Sequence, residues 1–268
     1  MPDQQPSDQK TRVALVTGGG SGIGRAAALS LGRSGFGVVA LVGRREAPLT
    51  ETADLLREAG AEPIVLQGDV SREADVKQAI GALMSRFGRL DAAFNNAGVE
   101  GAFGPVETLS EDDFDATMRV NLKGVWLSCK HEMAAMAATS GSIVNTSSWL
   151  AKGAFPGSSI YSASKAALDG MTRALAMEGA GRGIRVNAVN PGIIATPMFD
   201  RFGGDDVSPP FVAHTPMRRM GEPEDVGDVV AWLCGDGARF VTGETLLVDG
   251  GYTIPGHRSW LAEDVSAT

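Results

Sequence analysis

The stretch Thr17-Gly18-Gly19-Gly20-Ser21-Gly22-Ile23-Gly24 decides how the rest of the chain is read. Before it runs a short apolar segment, Val13–Val16, with the character of a buried strand. After it, Ile23–Arg33 is rich in Ala and Leu and reads as a helix. A strand that turns through glycines into a helix is where a doubly wound α/β fold holds a dinucleotide. Glycines permit the tight turn and let the backbone approach a pyrophosphate. The free N–H groups at the helix start then face the negative charge. The looser GxGxxG/A pattern, at Gly22, Gly24 and Ala27, overlaps the same loop.

Working outward, short β-rich runs alternate with longer helical stretches. The runs are Val13–Val16, Val38–Val42, Pro63–Gln67, Leu90–Phe94, Ser142–Thr146, Ile184–Val189 and Thr245–Val248. Between them, Leu49–Ala59, Glu73–Phe87, Phe114–Ala138, Ser158–Gly179 and Pro223–Cys234 show helical spacing. Alternation on this scale predicts βαβ units and a parallel sheet of about seven strands. Near-continuous Val, Ile and Leu in the strands predicts helices on both faces. The expected fold is therefore α/β, a Rossmann-type doubly wound sheet. No Pro/Ser-rich linker divides the chain, so residues 11–268 are expected to form one domain. The polar segment Met1–Lys10 lacks an apolar core and is read as a disordered leader rather than a secretory signal. The stretch Ala195–Gly221 carries Pro, Gly, Met and Phe and is predicted to be an irregular substrate loop.

Composition narrows the function. The 268 residues carry a net charge of −8. That argues against nucleic acid or an anionic membrane as the main partner. No 18-residue apolar stretch predicts a transmembrane helix. Cys129 and Cys234 read as two reduced thiols of a cytoplasmic protein. His131, His214 and His257 lack ligand spacing, so no metal site is expected. There are 35 glycines. Many, including Gly35, Gly60, Gly88 and Gly183, are placed to close helices before the next strand. Ser110 ahead of Glu111-Asp112-Asp113 reads as a helix cap.

The motifs occur in an order that resembles the short-chain dehydrogenase/reductase family. Thr17 to Gly24 matches its cofactor loop. Asp69-Val70 closes strand three, and Asn95-Asn96-Ala97-Gly98 follows strand four. Asn121 lies within Arg119-Val120-Asn121-Leu122-Lys123-Gly124. Ser148 follows strand five, then Tyr161-Ser162-Ala163-Ser164-Lys165. Pro191-Gly192 and Thr196 follow strand six. The likeness covers roughly Thr11 to Thr253. Among family branches the chain looks most like 3-oxoacyl-carrier-protein reductases and general ketone reductases.

The chemistry of these residues can be argued directly in part. Tyr161 and Lys165, four apart in a helical segment, share one face. A cation beside a phenol favours the phenolate and lowers its pKa. A phenol so tuned can exchange a proton with a substrate oxygen near neutral pH. Ser148, just past a strand's carboxyl end, can hydrogen-bond the same oxygen. Ser147 is the alternative, although the spacing of 13 residues to Tyr161 resembles the family's for Ser148. No GxSxG elbow or His partner supports Ser148 as a hydrolytic nucleophile.

Other roles come only from the resemblance. It implies that Asn121 holds a water continuing a proton path through Lys165, and that Lys165 also bonds the nicotinamide ribose. It implies that Asp69 meets the adenine, with Val70 beside it. Asn96, Ala97 and Gly98 would pass along the cofactor. Pro191, Gly192, Ile194 and Thr196 would flank the nicotinamide carboxamide. Gly18, Ser21, Gly22, Ile23 and Gly24 would cradle the phosphates. The family is usually tetrameric, through the helix bearing Tyr161 and the C-terminal strand.

Cofactor choice is read at the end of strand two. An acid there bonds the 2′-hydroxyl of NAD and repels the 2′-phosphate of NADP. The sequence offers Val42-Gly43-Arg44-Arg45 instead. Arg suits phosphate through its planar fork. NADP is favoured and NAD remains possible, with Glu46 close by as the contesting acid. Which of Arg44 and Arg45 grips the phosphate is open. The expected function is hydride transfer between a nicotinamide cofactor and a ketone or secondary alcohol. The alternative is a dinucleotide-sensing protein of the same fold without chemistry.

Overall fold

The computed structural model describes residues 11–256. The expected leader and the tail residues His257, Trp260 and Leu261 lie outside the described residues. Seven strands form one parallel sheet in the order β3-β2-β1-β4-β5-β6-β7. They are β1 (Val13–Thr17), β2 (Val38–Gly43), β3 (Glu62–Gln67), β4 (Ala92–Asn95), β5 (Gly141–Thr146), β6 (Ile184–Pro191) and β7 (Thr245–Val248). Strand order reverses between β1 and β4. A cleft therefore opens at their carboxyl ends, where such sheets bind ligands.

Alternation along each strand splits the core in two. Ala14, Val16, Val39 and Leu41 point to one face, against α1 (Gly22–Arg33), α2 (Glu46–Glu58) and α9 (Pro223–Cys234). Val13, Leu15, Val38, Ala40 and Val42 point to the other, against α3 (Glu73–Phe87), α5 (Val125–Ala135) and α6 (Ser159–Ala180). Burying each of the Val and Leu side chains among them contributes roughly 1.5–3 kcal/mol. Cys129 and Cys234 are buried free thiols in these two separate layers.

The remaining helices are α4 (Glu111–Met118), α7 (Pro197–Phe202) and α8 (Ser208–His214). A capping box starts α4: Ser110 Oγ accepts from Asp113 N at 3.1 Å, and Ser110 N donates to Asp113 Oδ2 at 3.0 Å. At the end of α3, Gly88 takes φ 68°, a left-handed cap that costs a residue with a Cβ.

Two expectations need correcting. Phe114–Ala138 is not one helix. A π-helical turn, Arg119–Gly124, separates α4 from α5. The side chains still follow a helical period there, so hydropathy alone cannot detect the wider turn. Nor is Ala195–Gly221 wholly irregular. Thr196 caps α7 through its hydroxyl, which accepts from Phe199 N at 3.3 Å, and Pro197 opens it. Pro209 and Pro210 fall in the first turn of α8, where a missing N–H costs nothing.

Candidate active site

The glycine loop is held from three sides. Thr17 Oγ1 accepts from the backbone N–H groups of Asn96 and Ala97 at 3.0 and 3.1 Å, tying β1 to the segment after β4. Gly18 N donates to the carbonyl of Val42 at 2.7 Å. Arg25 reaches back from α1 to donate to the Gly20 carbonyl at 2.7 Å. Gly18 and Gly22 have φ of 68° and 50°, and a Cβ at Gly24 would strike the Gly18 carbonyl. At Gly18 and Gly22 the loop thus presents bare backbone to the cleft, with Ser21 and Ile23 beside it on the wall.

From this loop a cavity of about 720 Å³ runs along the carboxyl edge of the sheet. Its wall includes Gly18, Ser21, Gly22 and Ile23, then Arg44 and Arg45, then Asp69 and Val70. Further along lie Asn96, Ala97 and Gly98, followed by Ser148, Tyr161 and Lys165, and by Pro191, Gly192, Ile194 and Thr196. Gly24 and Asn121 are not on this wall; they support it from behind. An elongated cavity with a bare glycine cradle at one end fits a dinucleotide. Gly192 lets β6 close on the segment after β7, because a Cβ there would sit 2.7 Å from Asp249 Cα.

Burial acts against the Asp69 carboxylate. Hydrogen bonds from the Ser71 backbone and hydroxyl, and the charges of Arg44 and Arg119, outweigh it and hold Asp69 below its ordinary pKa. Arg44 and Arg45 are exposed at the cavity rim, and neither is in an ion pair with a described residue. Glu46 begins α2 and is not part of the wall.

At the centre, α6 places Tyr161 and Lys165 one turn apart. Lys165 Nζ lies 5.6 Å from the Tyr161 ring centroid and donates to the Thr146 carbonyl at 2.7 Å. Ser148 Oγ accepts from Leu150 N at 3.2 Å. Ser147 is turned away, its hydroxyl donating to the Lys165 carbonyl at 3.0 Å. Of the two serines, Ser148 is the one whose side chain acts on Tyr161, favouring its phenolate.

The electrostatics correct one expectation. Tyr161 is not lowered. Its pKa is pushed up to about 12, because burial disfavours the phenolate, more than the Ser148 hydrogen bond favours it, and Glu100 adds a repulsive charge. Lys165 is itself brought down to about 8 by burial, against the pull of Asp169. A cation that is reluctant to stay charged gives its neighbour little help.

Asn121 is fully buried in the π turn. Its Oδ1 accepts from Val99 N at 2.8 Å, and its Nδ2 donates to the Val99 carbonyl at 2.8 Å and to Ser164 Oγ at 3.3 Å. The side chain therefore braces the loop after β4 against α6. A Cβ on Gly98 would lie 3.3 Å from Asn121 Oδ1 and 3.8 Å from Lys165 Nζ, so these groups meet behind that glycine.

Several wall residues carry no motif and escaped sequence reading. Phe103, Trp149 and Phe155 join Met198, Phe199, Phe202 and Phe211 around the far end of the cavity. Glu100 and Arg201 bond each other there. Asp169 was legible in principle, being one turn beyond Lys165. It is buried and accepts from Asn190 Nδ2 at 3.1 Å, and the same Nδ2 donates to the Ser148 carbonyl at 3.0 Å.

Known proteins share this organisation. A family model described as enoyl-(acyl carrier protein) reductase matches residues 18–253. An A-factor type gamma-butyrolactone 1′-reductase (1S-forming) of Streptomyces virginiae is 40% identical over 247 residues, spanning 91% of this chain and 96% of that one. A cyclohexanol dehydrogenase of an Acinetobacter species is 39% identical over 243 residues, spanning 90% and 95%. Among solved structures, a variant actinorhodin polyketide ketoreductase with NADPH superposes with a TM-score of 0.86 at 35% identity, covering 92% of this chain and 99% of that one. The chain belongs to the short-chain dehydrogenase/reductase family, the nicotinamide-dependent oxidoreductases of ketones and secondary alcohols.

Proposed function

We propose that the protein interconverts a ketone and a secondary alcohol using NADP(H), with Tyr161 carrying the proton. The observation that carries this reading is that the Ser148, Tyr161 and Lys165 side chains share one cavity with a glycine loop. The bound cofactor would donate or accept hydride. In reduction, the Tyr161 hydroxyl gives its proton to the carbonyl oxygen. Its raised pKa keeps it protonated for that step, which suits reduction at neutral pH. The Ser148 hydroxyl bonds the same oxygen and holds it against Tyr161. Lys165, near its titration point at neutral pH, can replace the proton lost from Tyr161. Asn121 is a positioning residue, acting through Val99 and Ser164.

NADP is the better fit because Arg44 and Arg45 stand exposed at the rim where a 2′-phosphate would lie, and no acid ends β2; the acid on the wall near them, Asp69, follows β3. The solved NADPH-bound relative supports the same choice. We read the protein as a cytoplasmic homotetramer. Among the described residues, no helix is long and apolar enough to cross a membrane. Met177 on α6 and Phe240 ahead of β7 are exposed, and both lie near the elements the family uses for assembly. Size-exclusion chromatography reads the state directly.

The decisive variant is Tyr161→Phe. It should bind NADPH as the parent does and lose at least about 100-fold in turnover. Parent-level turnover would refute the assignment. Retained binding with no turnover by the parent enzyme on a broad carbonyl panel would instead favour a sensor.

A further inference from the structure

Beyond Tyr161 the cavity is walled by phenyl rings in sequence. The Phe103 centroid lies 6.1 Å from that of Tyr161, and Phe202 lies 5.5 Å from Phe103. Phe155 follows at 6.2 Å from Phe202, and Phe211 at 6.1 Å from Phe155. These rings come from three separate segments: the connection after β4, the connection after β5, and the stretch carrying α7 and α8. None of the four is fully buried, and Phe202 is 41% exposed. A cluster of apolar rings left open to a cavity marks a surface meant to be covered by a ligand.

The charge on the wall is equally informative. Arg44, Arg45 and Asp69 lie at the cofactor end, and Lys165 sits behind Tyr161. Only Glu100 and Arg201 reach the aromatic end, and they are bonded to each other. No other cation among the described wall residues is placed to receive a substrate carboxylate or phosphate there. Burying an unpaired anion in such a place is costly. The ring pairs also meet edge-on, Phe103 with Phe202 at 64° and Phe155 with Phe202 at 70°. Ring faces and edges are thereby offered in several directions. A cyclic substrate contacts them without freezing rotatable bonds, whereas a flexible chain of equal area pays that entropy.

Resting on the oxidoreductase reading above, we propose that the substrate is an uncharged, ring-bearing ketone or secondary alcohol. Phe103 and Phe202 determine that specificity, and acyclic anionic substrates such as 3-oxo acids and coenzyme A thioesters are disfavoured. The reaction itself balances as before: hydride to the ring carbonyl carbon from the reduced cofactor, and a proton to its oxygen.

The test measures kcat/KM for ketone reduction with NADPH or NADH, using cyclohexanone and 2-tetralone against 2-hexanone, acetoacetate and acetoacetyl-CoA. The ring ketones should lead by about tenfold or more. Phe202→Ala, at a position 41% exposed, should lower kcat/KM for 2-tetralone at least about fivefold more than for 2-hexanone, with the cofactor Kd measured alongside to show that the fold is kept. Phe103→Ala should act in the same direction. Equal or better turnover of 2-hexanone, acetoacetate or acetoacetyl-CoA would overturn the substrate class and leave the oxidoreductase intact. An unchanged ring preference in both variants would overturn the role of the two phenyls. Binding of cofactor with no oxidation on any of the five ketones would bring down the oxidoreductase reading itself.

Discussion

Arg201 on α7 grips Glu100, in the connection after β4, through two parallel hydrogen bonds: Nε to Oε1 at 2.6 Å and Nη2 to Oε2 at 3.1 Å. The same guanidinium donates to the Pro197 carbonyl at 2.9 Å, so the grip also fixes the first turn of α7. Both side chains keep solvent contact, and an ion pair of this kind stabilises a fold by only ~0–1 kcal/mol. Its consequence is positional. It draws the segment carrying Phe199 and Phe202 toward the rim beside Tyr161.

Replacing Glu100 by Gln weakens that tie and removes a negative charge near Tyr161. The KM for substrate should rise by roughly threefold or more while kcat changes less, because α7 and its phenyl rings contribute to binding before chemistry. Glu100 also helps to hold Tyr161 above its ordinary pKa. Without that charge, the rising limb of the pH profile for alcohol oxidation, where the Tyr161 phenolate forms, should move to lower pH. Initial rates across pH read both effects, and a limb that does not move would remove Glu100 from the electrostatics of Tyr161.

The cofactor assignment makes a charge-specific prediction. Arg44→Ala with Arg45→Ala should raise the NADPH Kd by at least about tenfold, since hydrogen bonds to a phosphate dianion are strong. The NADH Kd should scarcely change. Fluorescence titration with both cofactors measures the ratio. A parent protein that binds NADH much more tightly than NADPH would reverse the assignment.

Glu132 predicts how stability depends on pH. It is fully buried on α5, accepts from Asn95 Nδ2 at 2.9 Å, and leaves Oε1 without a donor. Asn95 Oδ1 beside it is also an unsatisfied acceptor. A proton on the carboxyl turns one of these oxygens into a donor and removes the buried charge. Consistently, burial raises Glu132 from the ordinary 4.5 to about 8. Between those values the folded chain holds one proton more than the unfolded chain. Stability from this group is therefore complete at low pH and falls as pH rises through the window, by about 1.4 kcal/mol per unit. Glu132→Gln keeps the shape and abolishes the titration. It should match the parent near pH 5 and be the more stable of the two near pH 8. Denaturant melts at the two pH values decide it, and a gap that stays constant would mean that Glu132 does not titrate on unfolding.

How far the chain could be read depended on the range of each interaction. The seven apolar runs, the glycine turn into α1 and the Tyr161–Lys165 pair are local features. Each follows from steric or periodic rules within a few residues, so each was legible. Asn121 was legible only by resemblance, because its meaning lies in a π turn and in Val99, 22 positions away. The aromatic wall was half visible: Phe199, Phe202 and Phe211 stood out in one stretch. Phe103 and Phe155 gave no signal, since nothing local distinguishes a loop Phe that joins a cavity from one that caps a core.

Strand order at the cleft, the partnership of Glu100 with Arg201 and the charge state of Tyr161 belong to another level. Glu100 and Arg201 are 101 residues apart, and only the packing of α7 over the sheet edge brings them within bonding distance. The same holds for Tyr161. Its sequence neighbour Lys165 suggested a lowered pKa, yet burial is a property of the assembled site, and it drives the value up to about 12. Conformational preference and hydrophobic period act within a few residues, so the order of residues dictates which backbone forms and which chemical groups it carries. Desolvation and long-range pairing exist only once the chain has folded, so packing dictates which groups meet and how much water they keep.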